Sequence, residues 1–195
     1  MPRDPLSGDK TALRSAMRRI RRDLARAAPH AARLAADALP LGLLPPFGVV
    51  AGYAPMGGEM DPGPLLARLT ARGATAALPV AVWRDAPLLF RTAGDRDAFL
   101  PDAFGIPAPG PDAPAVTPDL IITPVLAFDR FGGRLGQGAG CYDRTLADLR
   151  KAGSVFVIGL AYAGQEVERV PADARDQSLD AILTEIGYSV VGKDI

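Results

Sequence analysis

The segment from Pro124 to Asp143 sets five glycines, two arginines and two aspartates between a strand-like run and a helix-like run. Glycines at 136, 138 and 140 let the backbone take positive φ and approach a ligand with no Cβ in the way, so successive N–H groups can converge on one anion. The helical pattern from about Ala139 onward aims its N-terminal N–H groups and dipole at the same point. Arg134 offers a planar fork for phosphate oxygens. Asp143, one turn into the helix, offers a carboxylate for a magnesium ion that would bridge those oxygens. Together these residues predict a phosphate cradle.

The pattern differs from two commoner nucleotide motifs. A P-loop ends in Gly-Lys-Ser/Thr, whereas Ala139 follows Gly138, and a dinucleotide fingerprint needs glycine where Cys141 stands. Lys10 and Arg14, four residues apart, share one helix face and can grip a polyphosphate together, although such a pair also suits a solvated basic face. Glu59 follows two glycines in a loop after a strand, where a carboxylate can accept ligand N–H groups or serve as an ordinary polar loop residue. Asp176 fits either a second magnesium ligand or a turn former. Cys141 reads as a small buried filler, because no histidine is available to form its thiolate. The sole histidine, His30, sits beside Pro29 at the start of a second helical pattern and reads as structural. Ser-His-Asp and Cys-His nucleophile systems and His-rich zinc sites are thereby disfavoured. The remaining chemistry must use carboxylates, cations, backbone donors and a bound cofactor.

Positioning these groups requires alternating strands and helices. Leu13, Met17, Ile20 and Leu24 predict an amphipathic helix over 10–27, with Asp9 as its N-cap and a basic outer face. A second helix is expected over about 29–39, a strand over 47–54, a helix around Leu65, Leu66 and Leu69 closing at Gly73, and a strand over 74–80. A proline-rich stretch follows, holding one short strand at 88–91. Strands at 120–123 and 155–160 flank the helix at 139–151, and short strands near 181–183 and 188–191 finish the chain. This alternation predicts an α/β fold with a mainly parallel, Rossmann-like sheet covered by helices on both faces and ligands beyond the carboxyl ends of its strands. Residues 1–195 read as one domain.

Lysines plus arginines and aspartates plus glutamates both number 22, so the chain carries no overall bias towards nucleic acid or membrane. Nine basic side chains nevertheless fall within residues 1–34, against Asp4, Asp9 and Asp23. The single cysteine excludes an intrachain disulfide and suits a reducing compartment. With no apolar run of spanning length and no signal-like h-region, a cytoplasmic protein is expected.

Several of these segments together resemble the 5-formyltetrahydrofolate cyclo-ligase, or methenyltetrahydrofolate synthetase, family. The resemblance runs through Lys10-x-x-Leu13-Arg14, Met56-x-x-Glu59, Gly105-Ile106-Pro107-x-Pro109, and Pro124-x-Leu126-Ala127-Phe128-Asp129. It is strongest in Arg134-Leu135-Gly136-x-Gly138-x-Gly140-x-Tyr142-Asp143, and Gly159-Leu160-Ala161-Tyr162, Gln165, Pro171, Asp176 and Thr184-Glu185 complete it. It implies ATP- and magnesium-dependent conversion of 5-formyltetrahydrofolate to 5,10-methenyltetrahydrofolate with release of ADP and phosphate. The formyl oxygen would attack the γ-phosphorus, N10 would close the ring, and phosphate would leave.

By position, the resemblance assigns ATP to Lys10, Arg14, Arg134, Leu135, Gly136, Gln137, Gly138, Ala139, Gly140, Cys141 and Tyr142. It assigns the folate to Met56, Glu59, Gly138, Gly140, Cys141 and Tyr142, magnesium to Asp143 and Asp176, and catalysis to Arg134 and Asp143. Cys141, Pro62, Ala108 and Arg175 stand where the family commonly carries tyrosine, threonine, glutamate and histidine. A monomer without nucleic-acid or membrane partners is expected. The alternatives are a paralogue using ATP on another formyl or amide substrate, and a non-catalytic relative whose basic first helix binds nucleic acid.

Overall fold

The computed structural model describes residues 10–95 and 98–192, so the N-cap expected at Asp9 lies outside the described residues. Helix α1 spans Lys10–Ala27 and α2 spans Ala31–Ala38. They are followed by β1 (Val49–Ala51), α3 (Gly63–Thr70), β2 (Thr75–Val80) and β3 (Leu89–Thr92). Two short strands, β4 (Leu100–Pro101) and β5 (Pro107–Ala108), lie in the proline-rich stretch. Next come β6 (Leu120–Pro124), β7 (Ala127–Phe128), β8 (Arg134–Leu135) and α4 (Cys141–Ala152). The chain closes with β9 (Phe156–Leu160), β10 (Ala181–Thr184) and β11 (Gly187–Val190).

The main sheet has seven strands in the order β11-β10-β9-β6-β1-β2-β3. Its central strands run parallel, whereas β11 and β3 pair antiparallel at the two edges. Side chains alternate between the faces, as the period of a strand demands. Leu120 and Ile122 of β6 join a core with α2 and α3, and Ile121 joins another with Leu146 of α4. That double burial explains why β6 reads as an unbroken apolar run.

From β1 the chain builds outward to β2 and β3 on one side, and from β6 to β9, β10 and β11 on the other. The reversal leaves a crevice above the carboxyl ends of β1 and β6, the position where parallel α/β sheets bind ligands. The strand expected over 47–54 narrows to Val49–Ala51. Its start is set by Asp119, whose Oδ2 accepts the N–H groups of Gly48 and Val49 at 2.8 and 3.0 Å. Its end comes where the chain turns off the sheet into the loop carrying Glu59.

The hairpin of β7 and β8 has no counterpart in the sequence-based reading, because two-residue strands leave no periodic signal. A buried carboxylate organises it instead. Asp129 Oδ1 accepts the N–H groups of Phe131 and Gly133, each at 2.9 Å, and Oδ2 accepts that of Val170 at 2.8 Å. A Cβ on Gly133 would lie 2.5 Å from Asp129 Oδ2, so this tight turn accepts only glycine. The N-terminal half of α1 lies on the hairpin, with Leu13 and Met17 packed against Leu126, Ala127 and Leu135.

Replacing Asp129 by alanine strands these donors in a dry turn, so the Asp129→Ala variant should lose about 3 kcal/mol or more of stability. Urea denaturation measures it, and a loss below about 1 kcal/mol would show that water substitutes for the carboxylate.

Candidate active site

A cavity of about 890 Å³ opens above the crevice, walled by α1, the loop after β1, the Asp102–Pro107 segment, the loop from Gly136 to Gly140 and the first turn of α4. Its volume suits small-molecule binding. Three regions of different chemistry line it.

The first is a buried carboxylate. Glu59 Oε1 accepts Nη1 of Arg21 at 3.1 Å, and Oε2 accepts the N–H of Met56 at 3.0 Å. Arg21 also donates through Nη2 to the carbonyls of Gly57 and Met56, at 3.2 and 3.4 Å. The basic-outer-face reading of the first helix fails here, because Arg21 is only 3% exposed. It shares the inward stripe of α1 with Leu13 and Met17. Leu13, Met17 and Arg21 recur every fourth residue, and that spacing was the available signal. Burial pushes the Glu59 carboxyl above its ordinary value, opposed by the Met56 N–H and the Arg21 charge. The Tyr142 hydroxyl lies against Thr123 in the same region. Burial and then the Glu59 field hold its pKa well above that of free tyrosine, and Tyr53 responds in the same way.

The second region gathers cations and backbone around the glycine loop. Gly138 and Gly140 use the freedom to take positive φ, at 110° and 69°, whereas Gly136 does not. The left-handed Gly140 also delays α4 to Cys141, two residues beyond its expected start. Arg14 Nε donates to the Gly136 carbonyl at 3.0 Å, and Arg18 Nε to Gln137 Oε1 at 3.0 Å, so α1 holds the loop directly. Lys10 Nζ pairs with Asp176 at 2.5 Å and with Asp173 at 3.1 Å. Arg134 is buried between Asp143 Oδ1, at 2.6 Å, and the Gln177 carbonyl, at 2.9 Å. Burial lowers the Arg134 pKa, with Asp143 opposing. Lys10, Arg14, Arg134, Asp143 and Asp176 thus line one cavity, and Asp173 lines it beside them.

The third region lies where the loop after β2 meets α4. Buried Thr145 accepts the N–H of Leu88 at 2.8 Å and donates to the Cys141 carbonyl at 2.7 Å. Cys141 Sγ lies 3.6 Å from the Arg84 carbonyl and is 8% exposed, in keeping with its reading as a buried filler. Burial raises its thiol pKa, with the Arg144 charge opposing. Phe104 and Ile106 supply an apolar wall, on a turn fixed by Asp102 through their N–H groups at 2.8 and 3.0 Å.

Comparison with known proteins agrees with this geometry. The 5-formyltetrahydrofolate cyclo-ligase family model matches residues 6–185. The chain is 36% identical over 183 residues to the 5-formyltetrahydrofolate cyclo-ligase of Mycolicibacterium smegmatis, covering 90% of this chain and 93% of that one. It is 34% identical over 140 residues to the enzyme of Escherichia coli, covering 69% and 76%. The solved structure of Aquifex aeolicus 5,10-methenyltetrahydrofolate synthetase superimposes with a TM-score of 0.70 at 28% identity, covering 95% of this chain and 94% of that one. The chain therefore belongs to the 5-formyltetrahydrofolate cyclo-ligase family, an enzyme family built on a mostly parallel α/β sheet.

Removing Arg21 leaves Glu59 buried without its cation, so Arg21→Met should cost about 3 kcal/mol or more. In the double variant with Glu59→Gln the two losses should fall well short of adding. Additive losses in chemical denaturation would show that the pair is not coupled. Cys141 should alkylate with iodoacetamide at less than about one-tenth the rate of a free thiol at pH 8, speeding as pH rises and the thiolate forms. Mass spectrometry follows the reaction, and a free-thiol rate would contradict the burial described.

Proposed function

We propose that the protein converts 5-formyltetrahydrofolate to 5,10-methenyltetrahydrofolate, consuming ATP and releasing ADP and phosphate. The observation that carries the proposal is one cavity, in a chain of this family, joining a buried carboxylate to a cationic backbone cradle at the switch point of the sheet. Glu59 would accept N–H groups of the pterin, held for that purpose by Arg21 and the Met56 N–H, with Met56 and Tyr142 beside it. Lys10, Arg14, Arg134 and the backbone from Leu135 through Gln137, Gly138, Ala139, Gly140 and Cys141 to Tyr142 would bind the phosphates. The glycine loop would also border the folate.

Phosphoryl transfer needs positioning and charge neutralisation more than proton transfer, which fits a site without histidine. Transfer to the formyl oxygen gives a leaving group that N10 displaces on ring closure. Arg134, fixed by Asp143 and Gln177, would counter charge that develops on the transferring group.

The donor set fits magnesium. Asp143 and Asp176 each present a carboxylate to the cavity, and Arg134 feels the charge of both. Among the described residues no larger cluster of His, Cys, Asp and Glu forms a self-contained cage. Magnesium is commonly held by one or two carboxylates together with substrate phosphates. When bound it would neutralise phosphate charge. The proposal takes residues 1–195 as one catalytic domain, a cytoplasmic monomer with no nucleic-acid or membrane partner. No described helix is long and apolar enough to cross a membrane.

Purified protein given 5-formyltetrahydrofolate, ATP and magnesium should generate the methenyl chromophore, and omission of any one should abolish it. Absence of the chromophore from folded protein supplied with all three would refute the proposal. Glu59→Gln should raise the folate KM about tenfold or more while leaving the ATP KM nearly unchanged. Equal rises in both would remove Glu59 from pterin recognition.

A further inference from the structure

Most cations of the cavity are already paired with carboxylates: Arg21 with Glu59, Arg134 with Asp143, and Lys10 with Asp173 and Asp176. Arg144 differs. It lines the cavity, yet no carboxylate pairs with it among the described residues. Its Nη2 donates to the carbonyls of Ala139 at 2.9 Å and Arg84 at 3.4 Å, and lies 3.7 Å from Cys141 Sγ. Its Nε is buried and has no hydrogen-bond partner at all. An unsatisfied buried donor on a permanently charged group is costly to leave unmade and signals a missing acceptor.

The position of Arg144 indicates which acceptor. Consecutive residues on a helix diverge by about 100°, so Asp143 and Arg144 face different regions of the cavity. Asp143 turns to Arg134 and Gln177, beside the Lys10 cluster. Arg144 turns to the loop after β2, where Arg84 stacks its guanidinium 5.2 Å from the Phe104 ring centroid. Phe104, Ile106 and Leu88 make that end apolar and suited to an aromatic ring, with a cation at its margin. The loop is held to α4 through Thr145, so this arrangement exists before any ligand arrives.

Resting on the proposed folate activity, we infer that Arg144 is a specificity-determining residue that binds a carboxylate of the substrate's glutamate tail, while Phe104 and Ile106 receive the adjoining aminobenzoyl ring. The unpartnered Nε supplies a charge-assisted hydrogen bond to that carboxylate. Of the cavity arginines that lack a carboxylate partner, Arg14 grips the glycine loop through the Gly136 carbonyl and belongs to the phosphate side. Arg144 is thereby left for an anion at the other end of the ligand.

The test compares 5-formyltetrahydrofolate with its truncated analogue 5-formyltetrahydropteroate, which lacks the glutamate, in steady-state turnover by the full-length wild type, Arg144→Gln and Arg144→Lys. The wild type should prefer the glutamylated substrate in kcat/KM by about 10- to 100-fold, the range of one hydrogen bond to a charged group. In Arg144→Gln that preference should collapse towards unity, through the KM of the glutamylated substrate rather than through kcat. Arg144→Lys should restore part of it. Equal losses on both substrates, or a rise in the KM of ATP instead, would overturn the assignment while leaving the proposed reaction standing. Failure of the wild type to turn over either compound would overturn the reaction and this assignment with it.

Discussion

Three arginines of one helix hold the two halves of the site in register. Arg21, buried on the inward face of α1, bonds to Glu59 and to the carbonyls of Met56 and Gly57 in the loop after β1. The same helix reaches the glycine loop one to two turns earlier through Arg14 and Arg18. α1 therefore spans the crevice between the loop after β1 and the glycine loop after β8, two segments far apart in the sequence. Its apolar stripe docks on the β7–β8 hairpin, and its polar contacts align the two loops. Without that crossing helix, the switch point of the sheet would offer two independent loops and no common cavity.

The charges of the site are largely matched to one another in the absence of ligand. Around Lys10, burial tends to lower the ammonium pKa, but the bonds to Asp176 and Asp173 outweigh it and leave the pKa raised. Asp173 is depressed to about 2, by the Arg175 backbone N–H first and by Lys10 next. A raised lysine contributes below its unfolded value and loses that contribution only as pH climbs past its folded value. A depressed aspartate contributes above its unfolded value and loses it as pH falls towards about 2. The charges of Lys10 and Asp173 are thus present together from mildly acidic to strongly alkaline pH. Lys10 is thus held between two carboxylates at the cavity wall.

The parts of this arrangement that the sequence announces are those with long periods or unusual composition. Leu13, Met17 and Ile20 define α1, the apolar runs define β6 and β9, and alternate glycines beside Arg134 and Asp143 define the cradle. Strand bounds at β1 and the start of α4 shift because single side chains and one left-handed glycine decide them, through Asp119 at Gly48 and through Gly140. Arg21 escapes a reading based on charge, since arginine on a basic helix is usually solvated and only the tertiary pairing with Glu59 makes it interior. The β7–β8 hairpin escapes because its strands are too short for alternation to register. Asp129 is legible as a residue, but its task of collecting an N–H group 41 positions away in sequence exists only in the folded chain.

Two kinds of polar contact divide the work around the cavity. Asp129, Asp102 and Thr145 bind backbone N–H groups, and at Asp129 and Thr145 the acceptor is buried. A ligand cannot easily displace such contacts, since removing the acceptor strands donors that water does not reach. They set the shape of the loops permanently. Lys10 and Asp176, by contrast, each keep a quarter of their side-chain surface exposed and join through an ion pair whose partners can be exchanged for a phosphate or a cation at modest cost. Loops held by backbone contacts, and part-exposed charges held by ion pairs, together give a site whose loop geometry is fixed by the fold while its ion pairs remain open to exchange. Catalysis by positioning and charge neutralisation requires that combination.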